Sequence, residues 1–383
     1  MKTNNLLIFI ILLLSWGARA EQWQLNGYIS QGLVSVEGSE FFTDKDNTSF
    51  ALSEATLMAS WRQGDNWRLA GAMSYRQRGN LIADHVQADY LFLEYLRPVE
   101  SGFVGARLGR VKNEVGFYSS TRDVPFARPS ILLPQSIYAD YYRDTQLHIN
   151  GGEVLGRHDL ESGQFVWHLS GGVLNVTDDL TINTMGTTEY GTLESDYFYS
   201  VDLDYSTESW RFGANIYQTV LEYNSELRWA PAEIELSTWV VSVQYRSAGL
   251  EITSELSQGT RSLTGASLPG WEREQPFRGY YIDARYQMTA DMDVFLRYDY
   301  SQENLDDPDG ELLELMGVPG YFGYGRDWTV GCRWRLAANW QLAAEYHWVE
   351  GAAWVPPILN KNPRDQDRQW SLFAIELSYR MQW

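Results

Sequence analysis

The chain has 383 residues, with 50 acids against 30 bases and a formal net charge of −20. At 44% apolar and 14% aromatic it is too rich in core-forming residues for a disordered chain, and its acid excess without a concentrated basic face excludes a nucleic-acid partner. Mean hydropathy is −0.35 and the one long apolar run is Leu6–Leu14, which rules out a bundle of membrane-crossing helices. The 24 Tyr, 16 Trp and 32 Gly favour an aromatic, turn-rich all-β protein.

Taken from the N-terminus, Met1–Ala20 reads as a secretory signal peptide. Lys2 is the basic end, LLIFIILLL the apolar centre, and Ala18-Arg19-Ala20 a small-x-small cleavage site. The apolar run is too short for the alternative, a retained anchor, and the mature chain is expected to start at Glu21. Cys332 is the only cysteine, so no intramolecular disulfide staples the exported chain.

From Gln22 onward one pattern repeats: about 10–14 residues alternating apolar and polar, then a turn, with no helical period. In Ser371–Trp383, Phe373, Ile375, Leu377, Tyr379 and Met381 fall on one face, and Glu376, Ser378, Arg380 and Gln382 on the other. The segment with Trp328, Val330, Cys332 and Trp334 splits from Thr329, Arg333 and Arg335 in the same way. Strands are predicted at 22–35, 49–62, 66–78, 86–97, 102–112, 145–156, 163–174, 194–206, 209–220, 233–246, 249–260, 277–288, 291–302, 326–336, 339–350 and 370–383. Sixteen is an even number, as in single-chain bacterial barrels.

The connections choose the architecture. Tight ones, such as Gln63–Asn66, Pro98–Ser101, Thr207-Glu208 and Ala337-Ala338, alternate with long ones at 36–48, 113–144, 175–193, 221–232, 261–276, 303–325 and 351–369; 79–85 is a shorter exception. Short turns on one rim and long loops on the other mark an outer-membrane up-and-down antiparallel β-barrel: within a bilayer a sheet satisfies its backbone only by closing on itself. Trp23, Trp61, Trp67, Trp210, Trp340, Trp348, Trp370 and Trp383 are placed at strand ends to form interfacial girdles. A soluble sandwich or propeller also alternates, but with shorter repeats.

Over essentially the whole mature chain the sequence resembles the Gram-negative porin superfamily. The resemblance is carried by the final strand ending in Trp383 with Tyr379 and Leu377 in phase, by the strand count, and by the long third loop. It implies outer-membrane localisation, contact with membrane lipid and lipopolysaccharide, recognition of the last strand by the barrel-assembly machinery, a possible homotrimer, and passage of small hydrophilic solutes. Leu108-Gly109-Arg110-Val111-Lys112 with Gly116-Phe117-Tyr118 is similar to the strand-to-loop passage of phosphate-selective porins. The serial arginine ladder of those porins is not matched, so phosphate selectivity does not carry over.

The loop 113–144 is unusually apolar, with Phe117, Phe126, Ile131, Leu132, Leu133 and Ile137, and a solvated loop avoids such surfaces. It is therefore expected to pack, and the resemblance to porins implies that it folds into the lumen as the pore constriction, with Arg122, Asp123, Arg128 and Asp140 its charged residues; the alternative is that Ser130–Ile137 packs on a neighbouring subunit or seals the mouth. Alternation then assigns a lumenal basic wall of Arg68, Arg76, Arg78, Arg107, Arg333, Arg335 and Arg380. The facing acidic wall is Asp196, Asp202, Asp204, Glu251, Glu255, Asp283 and Asp293. Such walls set up a transverse field that orients polar solutes. The acids of 305–314 are read as a solvated outer loop, since the calcium-loop ligand pattern is absent.

An enzyme is not indicated. His85, His148, His158, His168 and His347 lack zinc spacing, and there is no nucleophile elbow or phosphate loop, so no cofactor or metal is expected. Two functions remain: a passive diffusion channel, and a non-conducting adhesin or scaffold plugged by 113–144.

Overall fold

A computed structural model describes residues 23–185, 188–225, 232–265, 272–355 and 362–382; the expected signal peptide and Trp383 lie outside them. The chain forms sixteen strands: β1 (Trp23–Glu37), β2 (Thr48–Gln63), β3 (Trp67–Arg78), β4 (Ile82–Val99), β5 (Gly102–Lys112), β6 (His148–Leu160), β7 (Gly163–Leu174), β8 (Gly191–Ser206), β9 (Trp210–Ser225), β10 (Ala232–Ser247), β11 (Leu250–Thr264), β12 (Glu272–Gln287), β13 (Met292–Gln302), β14 (Tyr324–Ala337), β15 (Trp340–Gly351) and β16 (Gln369–Gln382). Each pairs antiparallel with its sequence neighbours, and β1 with β16 closes the ring, leaving no unpaired edge. The period-2 pattern located all sixteen. The strands run longer than the alternation shows chiefly at the long-loop rim, where β9 continues to Ser225 and β12 begins at Glu272. β4 reaches back to Ile82, so the connection after β3 shortens to three residues, 79–81. Gly79 takes φ +53° there, and a Cβ on it would meet the Phe42 carbonyl oxygen at 1.9 Å.

The two faces differ as the pleat requires. Ile29, Leu57, Met73, Leu91, Leu108, Ile216, Ile282 and Trp328 are exposed, while the alternate positions bury Glu54, Arg76, Glu94, Glu153, Glu255, Asp299, Glu345 and Glu376. An apolar outside and a charged inside suit a bilayer around a polar interior. Trp23, Trp67, Trp210, Trp340 and Trp348 are exposed, and Trp23 packs on the half-buried Trp61 with ring centroids 6.4 Å apart. Trp370 departs from the girdle expectation. It is buried in an apolar cluster with Phe41, Phe42, Leu81, Ile131, Leu132, Phe322 and Val355, and donates its indole N–H to the Gly351 carbonyl at 2.8 Å. These neighbours come from the loops 38–47, 79–81, 303–323 and 352–355 and from the tip of the segment after β5, so it secures loops rather than lipid.

A register shift matters for side-chain direction on β8, where the bulge between Ser195 and Tyr197 leaves Asp196 exposed. Arg335, still in register with Gln341, is exposed at the short-turn rim.

Candidate functional site

The segment 113–147, joining β5 to β6, is tied to strands around most of the ring. Asn215 on β9 donates its amide to the Glu114 carbonyl at 2.6 Å. Glu255 on β11 accepts the Phe117 N–H at 2.7 Å and the Tyr138 hydroxyl at 2.5 Å. Asp299 on β13 accepts the Gln135 N–H at 2.7 Å. Glu345 on β15 takes the N–H groups of Ile131 and Leu132 at 2.9 and 2.8 Å, while Arg297 on β13 donates to Ser130 Oγ and the Leu132 carbonyl at 2.8 and 3.1 Å. Gln341 on β15 reaches the Pro125 carbonyl at 3.0 Å. Strand side chains therefore supply partners to backbone groups that no helix or sheet satisfies, which a buried non-regular segment requires. Phe117, Tyr118, Leu133, Ile137 and Tyr138 pack with Val240 and Tyr281, accounting for the apolar character of the segment.

Charge pairing fixes the other side. Glu54 on β2 accepts Arg78 at 2.6 Å, Arg128 at 2.9 Å and Arg143 at 3.2 Å. Arg128 also donates to Glu376 on β16 at 2.6 Å; Asp123 accepts Arg143, Lys112 and Arg76 at 2.8, 2.9 and 3.0 Å; Asp140 accepts Arg78 and Arg122 at 3.1 and 3.3 Å. All four loop residues singled out in the sequence, Arg122, Asp123, Arg128 and Asp140, are thus brought together, and all are buried. Burial alone would raise the Asp123 carboxyl, but Lys112, Arg76 and Arg143 hold it well below the usual range, and Arg78, Arg122 and Arg143 depress Asp140 against the same burial. Burial and the neighbouring Arg143 pull Arg122 down to about 10, so it stays cationic at neutral pH. Burial would lower Arg128 too, but Glu376 and Glu54 carry it upward.

The predicted basic residues divide into three settings. Arg76 and Arg78 belong to this network. Arg68 and Arg107 share Glu94, at 2.8 and 2.7 Å, and Arg107 adds Glu153 at 2.7 Å. Arg333, Arg335 and Arg380 instead line a cavity of about 880 Å³ at the short-turn rim, along with Arg246, Arg285, Glu251 and Asp293. Arg333 donates to Asp293 at 3.0 Å, and Arg380 lies over the Phe126 ring, 5.1 Å from its centroid. Of the predicted acids, Glu255 holds the loop, Glu251 pairs with Arg246 at 2.7 Å and Asp293 with Arg333, and Asp283 is buried on β12. Asp202 and Asp204 line a second cavity of about 420 Å³, bounded by Glu114, Phe117, His168, Arg211 and Asn215; Arg246 borders both cavities. Asp196 stands apart at its bulge.

The most heavily used partners, Glu54, Glu345, Glu376, Arg297 and Arg143, were not singled out in the sequence. Each strand member sits in the polar phase of its strand, so alternation placed it inside; nothing in one strand says that a loop from elsewhere will meet it. The histidines also find carboxylates: His347 lies 2.7 Å from Asp327 and 3.1 Å from Glu345, and His168 lies 2.9 Å from Glu153. Among the described residues no group of three His, Cys, Asp or Glu could hold a metal.

No family model and no curated protein matches the sequence. Solved structures do. The anion-selective porin from Comamonas acidovorans superposes with a TM-score of 0.60 at 11% identity, over 94% of this chain and 99% of that one. The outer-membrane channel DcaP of Acinetobacter baumannii gives 0.58 at 8%, over 94% and 97%, and OmpT of Vibrio cholerae 0.56 at 12%, over 94% and 97%. The fold is that of a Gram-negative outer-membrane porin. Identities this low make the likeness one of fold.

Proposed function

We propose that the protein is an outer-membrane porin, a water-filled channel through which small hydrophilic solutes and ions diffuse passively, with segment 113–147 lying across the lumen as its constriction. What carries this reading is the contrast inside the ring: the segment is bonded to β2, β3 and every strand from β9 to β16, with Asn215–Glu114 its hydrogen bond to β9, yet beside β7–β9 a charge-lined cavity of about 420 Å³ remains. That cavity and the larger one share Arg246, and together they form the aqueous path. Arg122, Asp123, Arg128 and Asp140 then act as the fastening of the constriction, and the solute meets His168, Asp202, Asp204, Arg211 and Arg246. Such a filter makes and breaks no bond. One OmpT structure is described as a trimer form, which supports a homotrimer here, with lipid, lipopolysaccharide and the assembly machinery as the other partners.

The extent of the loop's bonding favours a second reading, a plugged barrel serving as an adhesin or scaffold. Planar-bilayer recording of the purified protein separates the two. Steady open steps that grow when Glu54→Gln loosens the segment support the channel; silence from a folded, inserted barrel supports the plug.

A further inference from the structure

The cavity beside β7–β9 has an unbalanced charge inventory. Arg211 is matched by Asp204 at 2.7 Å and lies over the Phe117 ring, 4.2 Å from its centroid. His168 faces Glu153 at 2.9 Å, and Arg246 faces Glu251 at 2.7 Å. Two carboxylates are left: Glu114, at the start of the cross-barrel segment, and Asp202 on β8. Neither makes a hydrogen bond or an ion pair through its carboxylate among the described residues, and both line the cavity.

A third acceptor stands with them. Asn215 on β9 is only 2% exposed, lines the same cavity, and is the direct cross-strand partner of Asp202. Its amide nitrogen donates to the Glu114 carbonyl at 2.6 Å, which fixes the orientation of the amide, and its Oδ1 is buried without a partner. A carboxamide oxygen and two carboxylates are acceptors only; what they lack is a donor, and one carrying positive charge suits them. The nearby cations Arg211, His168 and Arg246 hydrogen-bond other acids, and none of them bonds this group.

We propose that Asp202, Glu114 and Asn215 form a binding subsite for the primary ammonium group of a small solute, making amines the class that the channel retains as they pass. An ammonium is compact and presents three donors, one for each acceptor. The phenyl ring of Phe117 adds an apolar wall for the attached alkyl chain. The assignment deepens the channel reading and relies on it for access, but binding is measurable without current.

The test is calorimetric titration of 1,4-diaminobutane into the folded full-length mature protein in detergent, with 1,4-butanediol and succinate as neutral and anionic probes of similar length. Saturable binding of the diamine alone is expected. It weakens about tenfold or more in Asp202→Asn and in Glu114→Gln, the loss expected for a charged hydrogen-bond partner, and is unchanged in Asp65→Asn on an exposed short turn. The loop variant Glu114→Gln keeps the test decisive if the strand variant fails to fold. No saturable binding to the wild type, equal binding of the diol, or wild-type affinity in the folded variants would overturn the subsite. Bilayer current from the same preparation judges the channel reading separately: conduction without amine binding removes the subsite and leaves the channel, whereas binding without conduction keeps the subsite and removes the channel.

Discussion

Two sides of the barrel interior treat charge in opposite ways. Between β16 and β3 the guanidiniums of Arg76, Arg78, Arg122, Arg128 and Arg143 interlock with Glu54, Asp123, Asp140 and Glu376 in a buried network. Beside β7–β9 the charges are half-buried, they border a cavity, and Glu114 and Asp202 are left over. Buried charges hold only when paired and hydrogen-bonded, so the first region is structural. Charges that keep contact with a cavity can stay unmatched, and those are free to meet a solute. Richness in arginine thus marks where the loop is fastened, while the charges left open to the cavity are the smaller, unbalanced set.

The comparison breaks most easily at Glu54. Glu54→Gln leaves Arg78, Arg128 and Arg143 without their common anion, and we expect a cost of about 3–5 kcal/mol in the seating of the loop. Single-channel conductance should rise and become noisy while circular dichroism still reports the barrel; an unchanged unit conductance would contradict the fastening role. Arg128→Met strands Glu376 and should loosen the loop comparably, whereas Arg128→Met with Glu376→Met should recover much of the loss, because an apolar pair replaces a buried ion pair at little cost. Thermal melts of the four cycle members measure this. Acid should act next. The pKa values of Asp123 and Asp140 are depressed by folding, so the stabilisation they give is in place above the unfolded value of about 3.9 and is lost as pH falls through the folded values. As far as these two groups decide it, current should hold steady from about pH 8 to 5 and change only below about pH 4. The smallest effect belongs to the other side: Asp202→Asn should leave melting and unit conductance near wild type, yet move the reversal potential in a salt gradient toward less cation preference.

Alternation made the strands and both rims legible, because one buried and one lipid-facing surface force a strict period of two. It failed where the backbone slips by a residue: no residue type announces the bulge that leaves Asp196 exposed. Trp370 resembles any other aromatic at a strand end, and only the loops that fold over it distinguish it from Trp348. Arg122, Asp123, Arg128 and Asp140 stood out as charged residues of an apolar loop expected to fold inward, but their pairing was not legible. Their strand partners, Arg76, Arg78, Glu54 and Glu376, lie tens to hundreds of residues away, and pairing across such separations is set by the closure of the ring.

Arg128 bridges Glu54 on β2 and Glu376 on β16, and between those strands lies β1, the strand on which the ring closes. The Arg128 side chain is therefore a clasp across the seam where the first and last strands meet. Of its two bonds, the one to β16 must wait for the last strand to be made, 248 residues beyond Arg128. A nascent barrel still open at that seam holds the clasp by one bond only. The completed clasp then resists the single separation, β1 from β16, that would return the cylinder to a sheet.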